Sequence, residues 1–534
     1  MNKPTPAQWE KMILILAIAL GAWLRFSPTM IAGDVVNDGG MFFSMTQQVQ
    51  EHRYTLPQAV SYNNLDIPFA YPPLPFYLTA LLSDLFLLPL KELFRWLPAI
   101  VSTFSILAFY ILARAMLKSS APAVLGTAAF ALVPRAYTWF VMGGGVSRAL
   151  GQLFLLLVVW ATYQAFTRKQ ARYLLWAILF GALVTLSHPG QLLHAVILCA
   201  FLWLFLDWKA FWRALLIGLG VAVLTAPWWL AVTGRHGIEP FLAASQTGGF
   251  SGMPWLPLFL PTFAEEQFLT IFTLFGLLGL AAQLIRRQYL LPFLLLIPFL
   301  VDPRSASSVA ILSLTMLAGI GLNDLVVPAI AALAARARGQ TLPPPGKDWP
   351  ELFASHRPVR WLLGYFAFIA LLGAYAYNQP LARKALPESG KEAMVWVREN
   401  TPPGSTFLLI TGIDDPFADP LQEWFPVLAG RVSVATIQGR EWSLGRDFLP
   451  FHDAVRDLQH CLNADPACVE QVAVEMGLSY DYLYLQKTTV VGGESIPDNP
   501  ALLSYLLRIS LDYELVYESA DVVIFALIPS APPP

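Results

Sequence analysis

Residues 33–75, GDVVNDGGMFFSMTQQVQEHRYTLPQAVSYNNLDIPFAYPPLP, form the most polar stretch in the first half of the chain. The stretch follows the first apolar segment and carries two adjacent glycines, Gly39 and Gly40. Its aspartates are Asp34, Asp38 and Asp66. Irregular backbone that carries carboxylates cannot lie in lipid, because its peptide groups would lack hydrogen-bond partners. We therefore predict that this loop lies at a membrane surface or lines a wet cavity.

The composition around this loop is that of a membrane protein. Of 534 residues, 56% are hydrophobic and only 13% are charged, and the mean hydropathy is +0.55. These values lie far from those of soluble globular domains and indicate a polytopic membrane protein. The formal net charge is −2, so nothing in the composition indicates a nucleic-acid partner.

Apolar segments long enough to approach a bilayer thickness recur along the chain. The first covers about 12–31 after Lys3 and Lys11, and we interpret it as a retained helix with a cytoplasmic amino terminus. The further candidates are 73–90, 97–117, 121–141, 147–166, 172–188, 190–206, 211–232, 268–285, 288–301, 305–328 and 359–377. Clusters of lysine and arginine mark the cytoplasmic loops between them.

If the basic clusters are all cytoplasmic and the amino terminus is too, one of the candidates before segment 147–166 cannot cross the membrane. We expect segment 73–90 to lie along the outer surface, because it is short, opens with prolines and carries Asp84. The first outer loop then covers 33–96, and about eleven helices cross the membrane. The resulting prediction is an integral protein of the plasma membrane whose carboxyl terminus lies outside the cell.

The composition changes after about residue 378, which separates a membrane domain (1–378) from a C-terminal domain (379–528). Short strand patterns alternate there with helical patterns, which predicts a compact extracytoplasmic α/β domain. Residues 529–534 are expected to be a disordered tail. Cys461 and Cys468 form a disulfide in an oxidising compartment or stay reduced otherwise, and the sequence leaves both open.

The predicted topology places most of the informative polar residues on one membrane face. This set comprises Asp34, Asp38, Asp66, Arg135, Arg148, His188, Arg235, His236, Glu265, Glu266, Asp302 and Arg304. Ionisable residues beside membrane spans are costly and tend to be functional. Carboxylates, arginines and a histidine beside an apolar body suit sugar transfer from a lipid phosphate. A carboxylate would act as general base on an acceptor hydroxyl, and the cations would offset charge on the departing phosphate.

Each of these residues also has a purely structural explanation. Asp34 or Asp38 could cap the helix that follows, and Asp66 could belong to the turn after Asn63 and Asn64. Arg148 could cap its own helix or pair with a loop carboxylate. His188 could be a turn residue whose hydrogen bonds are satisfied locally. Arg304 could form a local ion pair with Asp302.

The loop and the motif Tyr71-Pro72-Pro73-Leu74 before an apolar segment resemble the glycosyltransferase C superfamily. The similarity is to protein O-mannosyltransferases and lipid A aminoarabinose transferases. It implies a polyprenyl-phosphate sugar donor and an essential aspartate in the first outer loop. Asp38 matches that aspartate best and Asp34 is its rival, although Gly39 stands where the family often has glutamate.

The resemblance also bears on cofactors. The next outer loop, GGGVSR, lacks the second acidic residue common in the superfamily, so no metal and no other cofactor is expected. The shared membrane face, and not the resemblance, assigns phosphate contacts to Arg148, His188 and Arg304. Tyr71 and Asp66 of the first loop are further candidates for substrate binding. In the C-terminal domain, residues 423–426 (EWFP) and 438–442 (QGREW) either help to bind the acceptor or are structural.

The predicted function is therefore a membrane glycosyltransferase acting on the extracytoplasmic face. It would move one sugar from a polyprenyl-phosphate donor to a glycan, lipid or protein acceptor. A transporter or lipid flippase is the first alternative, and it predicts polar residues near the bilayer midplane and broken helices in paired halves. A non-catalytic membrane scaffold is the second. The sequence names neither the sugar nor the acceptor.

Overall fold

The computed structural model describes residues 4–117, 119–246, 271–302, 305–344, 346–487, 489–491, 494–496 and 501–528. Predictions for Arg304, for Glu265 and Glu266 and for the tail 529–534 lie outside the described residues. The helices of the first part are α1 (Pro6–Ala32), α2 (Gly40–Glu51), α3 (Leu74–Phe86), α4 (Leu90–Met116), α5 (Ser120–Leu132), α6 (Gly145–Arg168), α7 (Ala171–Thr185), α8 (Pro189–Asp207), α9 (Phe211–His236) and α10 (Glu239–Gln246). They continue as α11 (Ile271–Ile285), α12 (Leu290–Leu296), α13 (Ala306–Gly321), α14 (Val327–Ala337), α15 (Trp349–Ser355) and α16 (Arg357–Ala382).

Local sequence signals fix both ends of α1. Thr5 and Gln8 form a reciprocal capping box that satisfies the first free backbone amides. Gly33 ends the helix in the left-handed region with φ 71°, and its amide donates to the Thr29 carbonyl. The polar loop therefore leaves the helix immediately after its last apolar turn.

Within the described residues, seven helical stretches are long and apolar enough to span a membrane. They are α1, α4, α6, α8, α9, the continuous stretch Ala306–Ala337 and α16. Helices α9 and α16 turn most of their side chains outward, as lipid-facing helices do. The helical membrane fold is confirmed, whereas eleven crossings stays a prediction because α5, α7, α11 and Leu290–Leu300 are shorter.

The first loop is an ordered structure rather than an irregular connection. A hairpin of β1 (Ala59–Tyr62) and β2 (Leu65–Pro68) follows α2. Asn63 and Asn64 both have φ 54°, the backbone that two-residue hairpin turns require. Asp66 therefore lies within β2, opposite Ser61, and not in the turn itself.

A C-terminal sheet domain follows α16. Its helices are α17 (Glu388–Asn400), α18 (Pro420–Leu428), α19 (Phe448–His460), α20 (Pro466–Glu475) and α21 (Ala501–Ile509). Its strands are β3 (Thr406–Ile410), β4 (Val432–Ser433), β5 (Tyr482–Gln486), β6 (Thr489–Val491), β7 (Glu494–Ile496), β8 (Tyr513–Glu518) and β9 (Val522–Leu527). Five of the strands form one sheet in the order β4-β3-β5-β9-β8.

The sheet contains both parallel and antiparallel strand pairs. Strand β3 pairs parallel with β4 and β5, while β9 pairs antiparallel with β5 and β8. Strand β8 lies at one edge of the sheet. Cys461 and Cys468 form a disulfide, which decides the question that the sequence left open.

The sheet domain packs directly on the first loop. Val36 forms a β-bridge with Ala385, and the Asn37 amide donates to the Lys384 carbonyl at 3.0 Å. The Asn63 side chain exchanges two hydrogen bonds of 2.7 Å with the backbone of Ser433. Loop and domain therefore form one continuous structure at the end of the helical body.

Candidate active site

Asp38 lies where the loop after α1 meets the start of α6. Its Oδ1 accepts a hydrogen bond from the Gly144 amide at 2.9 Å. Its Oδ2 lies 2.7 Å from Arg148 Nη2 in a salt bridge that is mostly shielded from solvent. Gly144 directly precedes α6, so the carboxylate also lies at the positive end of a helix. The structure therefore joins two of the predicted site residues, Asp38 and Arg148.

The glycines before α6 allow this close contact. A Cβ atom on Gly144 would lie 2.6 Å from Asp38 Oδ2 and 3.1 Å from Arg148 Nη2. A Cβ atom on Gly143 would overlap the backbone carbonyl of Asp38. Because no side chain fits at either position, the glycine run is what lets the carboxylate approach the helix amino terminus.

Arg148 is held in a fixed orientation. Its Nε donates to the Trp139 carbonyl at 2.8 Å, and its guanidinium carbon lies 5.8 Å from the centre of the Trp139 ring. Nη2 is used by Asp38, whereas Nη1 has no hydrogen-bond partner among the described residues. The guanidinium can therefore bind an anion without releasing Asp38.

Tyr71 connects this pair to His188. Ser147 Oγ lies 3.1 Å from the Tyr71 hydroxyl and donates to the Ser187 carbonyl at 2.7 Å. The rings of Tyr71 and His188 are 6.2 Å apart and nearly perpendicular. Burial raises the pKa of Tyr71 above its ordinary value, so its hydroxyl stays protonated and can donate.

His188 also has a local structural role. Its Nδ1 accepts a hydrogen bond from the Gln191 amide at 3.3 Å and so caps the start of α8. Because Nδ1 is the acceptor, a proton on a neutral ring would reside on Nε2. His188 can therefore cap α8 through Nδ1 and still contact a ligand through Nε2.

Asp34 is engaged with two lysines. Its Oδ2 lies 2.5 Å from Lys391 Nζ and 2.9 Å from Lys91 Nζ, and its Oδ1 accepts from the Val35 amide. Burial alone would raise the pKa of Asp34, but the two ammonium groups outweigh burial and hold it below its ordinary value. Lys391 belongs to the sheet domain, so Asp34 ties that domain to the loop.

One further predicted residue, Asp66, is not brought to Asp38. Asp66 lies exposed on the hairpin. Arg304 lies outside the described residues. Its neighbour Asp302 accepts from Ser305 Oγ at 2.5 Å and has His194 Nε2 at 4.0 Å.

The structure adds Glu423 to the site. The sequence placed it only in segment 423–426, which was expected either to help bind the acceptor or to be structural. Glu423 Oε1 accepts hydrogen bonds from the amides of Gly39 at 2.8 Å and Met41 at 3.4 Å. Burial, followed by the negative charge of Asp38, raises the pKa of Glu423 to about 8. No sequence signal pointed to this contact, because it depends on how the sheet domain docks.

No group of three or more His, Cys, Asp or Glu side chains is spaced to hold a metal ion in the part of the chain that the structure describes. The expectation that no metal is required remains a prediction.

The fold is shared with solved structures of two other proteins, ArnT and AftD. No family model matches the sequence, and the search of curated proteins also finds no match. The fold assignment therefore comes from solved structures, and it confirms the fold predicted from the sequence.

Two structures of ArnT from Cupriavidus metallidurans match nearly the whole chain. The form bound to undecaprenyl phosphate has a TM-score of 0.53 at 16% identity and covers 97% of this chain and 99% of its own. The apo form has a TM-score of 0.54 at 16% identity, covering 96% and 97%. Arabinofuranosyltransferase AftD from Mycobacteria matches with a TM-score of 0.52 at 15% identity. That match covers 97% of this chain and 40% of AftD.

Proposed function

We propose that this protein is a membrane glycosyltransferase that moves a sugar from a polyprenyl-phosphate donor to an acceptor hydroxyl. The observation that carries the proposal is the Asp38–Arg148 pair at the amino terminus of α6, at the end of the helical body. Support comes from the shared fold with ArnT, which has been solved with undecaprenyl phosphate. The lipid tail of such a donor lies in the bilayer, so its sugar phosphate must react at the membrane interface, where the helical body ends.

The reaction assigns a role to each group around Asp38. The Asp38 carboxylate accepts the proton of the acceptor hydroxyl as its oxygen attacks the anomeric carbon of the sugar. The bond between that carbon and the phosphate oxygen breaks, and its electron pair leaves with the lipid phosphate. The free Nη1 of Arg148, the Tyr71 hydroxyl and His188 are proposed to contact that phosphate and stabilise its charge.

We also propose the orientation predicted from the basic clusters, with the amino terminus in the cytoplasm and the sheet domain outside. The disulfide between Cys461 and Cys468 supports this orientation, because disulfides persist in oxidising compartments. Asp38 then lies on the extracytoplasmic side of the plasma membrane.

The test is binding and transfer by the purified full-length protein. Native mass spectrometry should detect undecaprenyl phosphate on the wild type and much less on Arg148→Ala. Proteoliposomes should then transfer label from at least one of a panel of polyprenyl-phosphate sugars, and Asp38→Asn should not. Absence of both lipid binding and transfer would overturn the proposal. Movement of the labelled lipid between leaflets without transfer would establish the flippase alternative instead.

A further inference from the structure

We infer that Glu423 is a positioning residue for Asp38, so that the sheet domain holds the backbone on both sides of the proposed base. The inference rests on the proposed function, since it assigns Asp38 its catalytic role. It adds that the active site is incomplete without α18 of the C-terminal domain.

The backbone next to Asp38 is held by Glu423 and its neighbour. Glu423 Oε1 receives the amides of Gly39 and Met41, the first and third residues after Asp38. A Cβ atom on Gly40 would overlap the Glu423 carbonyl, so the loop and α18 touch backbone to backbone. Trp424 Nε1 donates to the Asn37 carbonyl at 2.9 Å. Residues on both sides of Asp38 are thereby fixed to one helix of the sheet domain.

Gly39 gives the loop the conformation in which its amide meets Glu423. It has φ 127°, a conformation that a residue with a side chain would adopt only with strain. This backbone lets the chain turn from Asp38 into α2 while the Gly39 amide points at Glu423. The glycine at position 39 and the contact with Glu423 are therefore parts of one arrangement.

The charges around Glu423 support the same role. Asp38 raises its pKa, whereas Arg148 and the backbone amides of Gly39 and Met41 oppose that shift. The Tyr62 hydroxyl donates to the Glu423 carbonyl at 2.7 Å, and Glu441 adds negative charge near Tyr62. Because both amides bind Oε1, Oε2 can carry a proton. A protonated Glu423 adds no second negative charge beside Asp38.

The first arm of the test measures transfer in proteoliposomes. Glu423→Ala should lower kcat by about 100-fold, because a displaced reacting group costs about that much. Glu423→Gln keeps an oxygen for the Gly39 amide and should recover most of that loss. It should also flatten the alkaline side of the pH–rate profile, where ionisation of Glu423 in the wild type adds a second charge beside Asp38. Glu399→Gln, on the exposed surface of α17, is the matched control and should resemble the wild type.

The second arm measures the carboxyl group itself and does not depend on transfer. Infrared difference spectra of wild type against Glu423→Gln should show a carboxyl group that stays protonated above pH 4.5 and loses its proton near pH 8. In Asp38→Asn the same group should titrate at lower pH, because the neighbouring charge is gone. Full transfer activity in Glu423→Ala, or a titration that Asp38→Asn leaves unchanged, would overturn the inference. If the wild type transfers no sugar but the titration shifts as expected, the proposed function fails and the Asp38–Glu423 coupling stands.

Discussion

Asp38 and Arg148 are 110 residues apart in the sequence, yet their side chains form a 2.7 Å salt bridge at the amino terminus of α6. The bridge leaves one guanidinium nitrogen for a ligand, and the Gly144 amide holds the other carboxylate oxygen. The proposed base and the proposed anion-binding group are thus fixed side by side before any substrate arrives. Such preorganisation is how enzymes stabilise charge that develops in the transition state.

Asp38→Asn should abolish transfer while the protein still folds. Asparagine retains an oxygen for the Gly144 amide but cannot take up a proton, so kcat should fall by about 10²- to 10⁴-fold. Rates in proteoliposomes and melting temperatures in detergent measure the two effects. Asp457→Asn, an exposed aspartate of the sheet domain, is the control. A variant that retains wild-type rates would exclude Asp38 as the base.

Arg148→Lys should weaken donor binding although it conserves charge. A lysine has no planar fork, so it cannot hold the Trp139 carbonyl, Asp38 and a phosphate together. We expect KM for the lipid donor to rise by about tenfold, which corresponds to about 1.4 kcal/mol. Arg168→Lys at the opposite end of α6 provides the comparison. An unchanged KM would show that Arg148 only orients Asp38.

Asp34→Asn should affect stability more than catalysis. The change removes a charge that two lysines share, and the bond to the half-buried Lys391 makes the larger contribution of about 2 kcal/mol. Because the folded pKa of Asp34 is depressed, its contribution is present at neutral pH and is lost as the pH falls through that folded pKa. Thermal unfolding and transfer rates of the same preparation separate the two roles. A catalytic loss as large as that of Asp38→Asn, without lower stability, would favour Asp34 as the base.

Glycine substitutions should show which close approaches the site needs. Gly144→Ala places a methyl group against Asp38 and Arg148, and Gly40→Ala places one against the Glu423 carbonyl. Both should lower transfer by at least about tenfold, since a misplacement of about 1 Å can cost 10²-fold. Gly218→Ala in α9 meets nothing within 4 Å and should be neutral. Activity equal to that control would mean that the loop can shift without loss.

The sequence predicted the helical body, a C-terminal domain of alternating strands and helices, and the shared face of Asp38 and Arg148, because hydropathy and charge alternation determine which residues share a face. It did not predict that Asp34 would be shared by Lys91 and Lys391, or that Glu423 would reach Gly39. Those contacts depend on how the sheet domain docks on the loop, and Glu423 and Gly39 are 384 residues apart. Asp66 is the opposite case. As a carboxylate in the polar loop it was predicted to belong to the site, but its position in β2 leaves it exposed.

The pH dependence of stability should reveal the proton on Glu423. Its ordinary pKa is 4.5, and the folded value is about 8. Between these values the unfolded chain has lost the proton and the folded chain retains it, so stability falls as the pH rises through this window and levels off above it. Glu423→Gln removes this slope, and its melting temperature should decline less between pH 4.5 and about 8 than that of the wild type. Burial also raises the pKa of Asp419, to about 6. Its contribution to the pH dependence of stability is the same in the wild type and in Glu423→Gln, so it cancels when the two are compared. Parallel curves would mean that Glu423 is already ionised at neutral pH, and Asp38 would then share its site with a second negative charge.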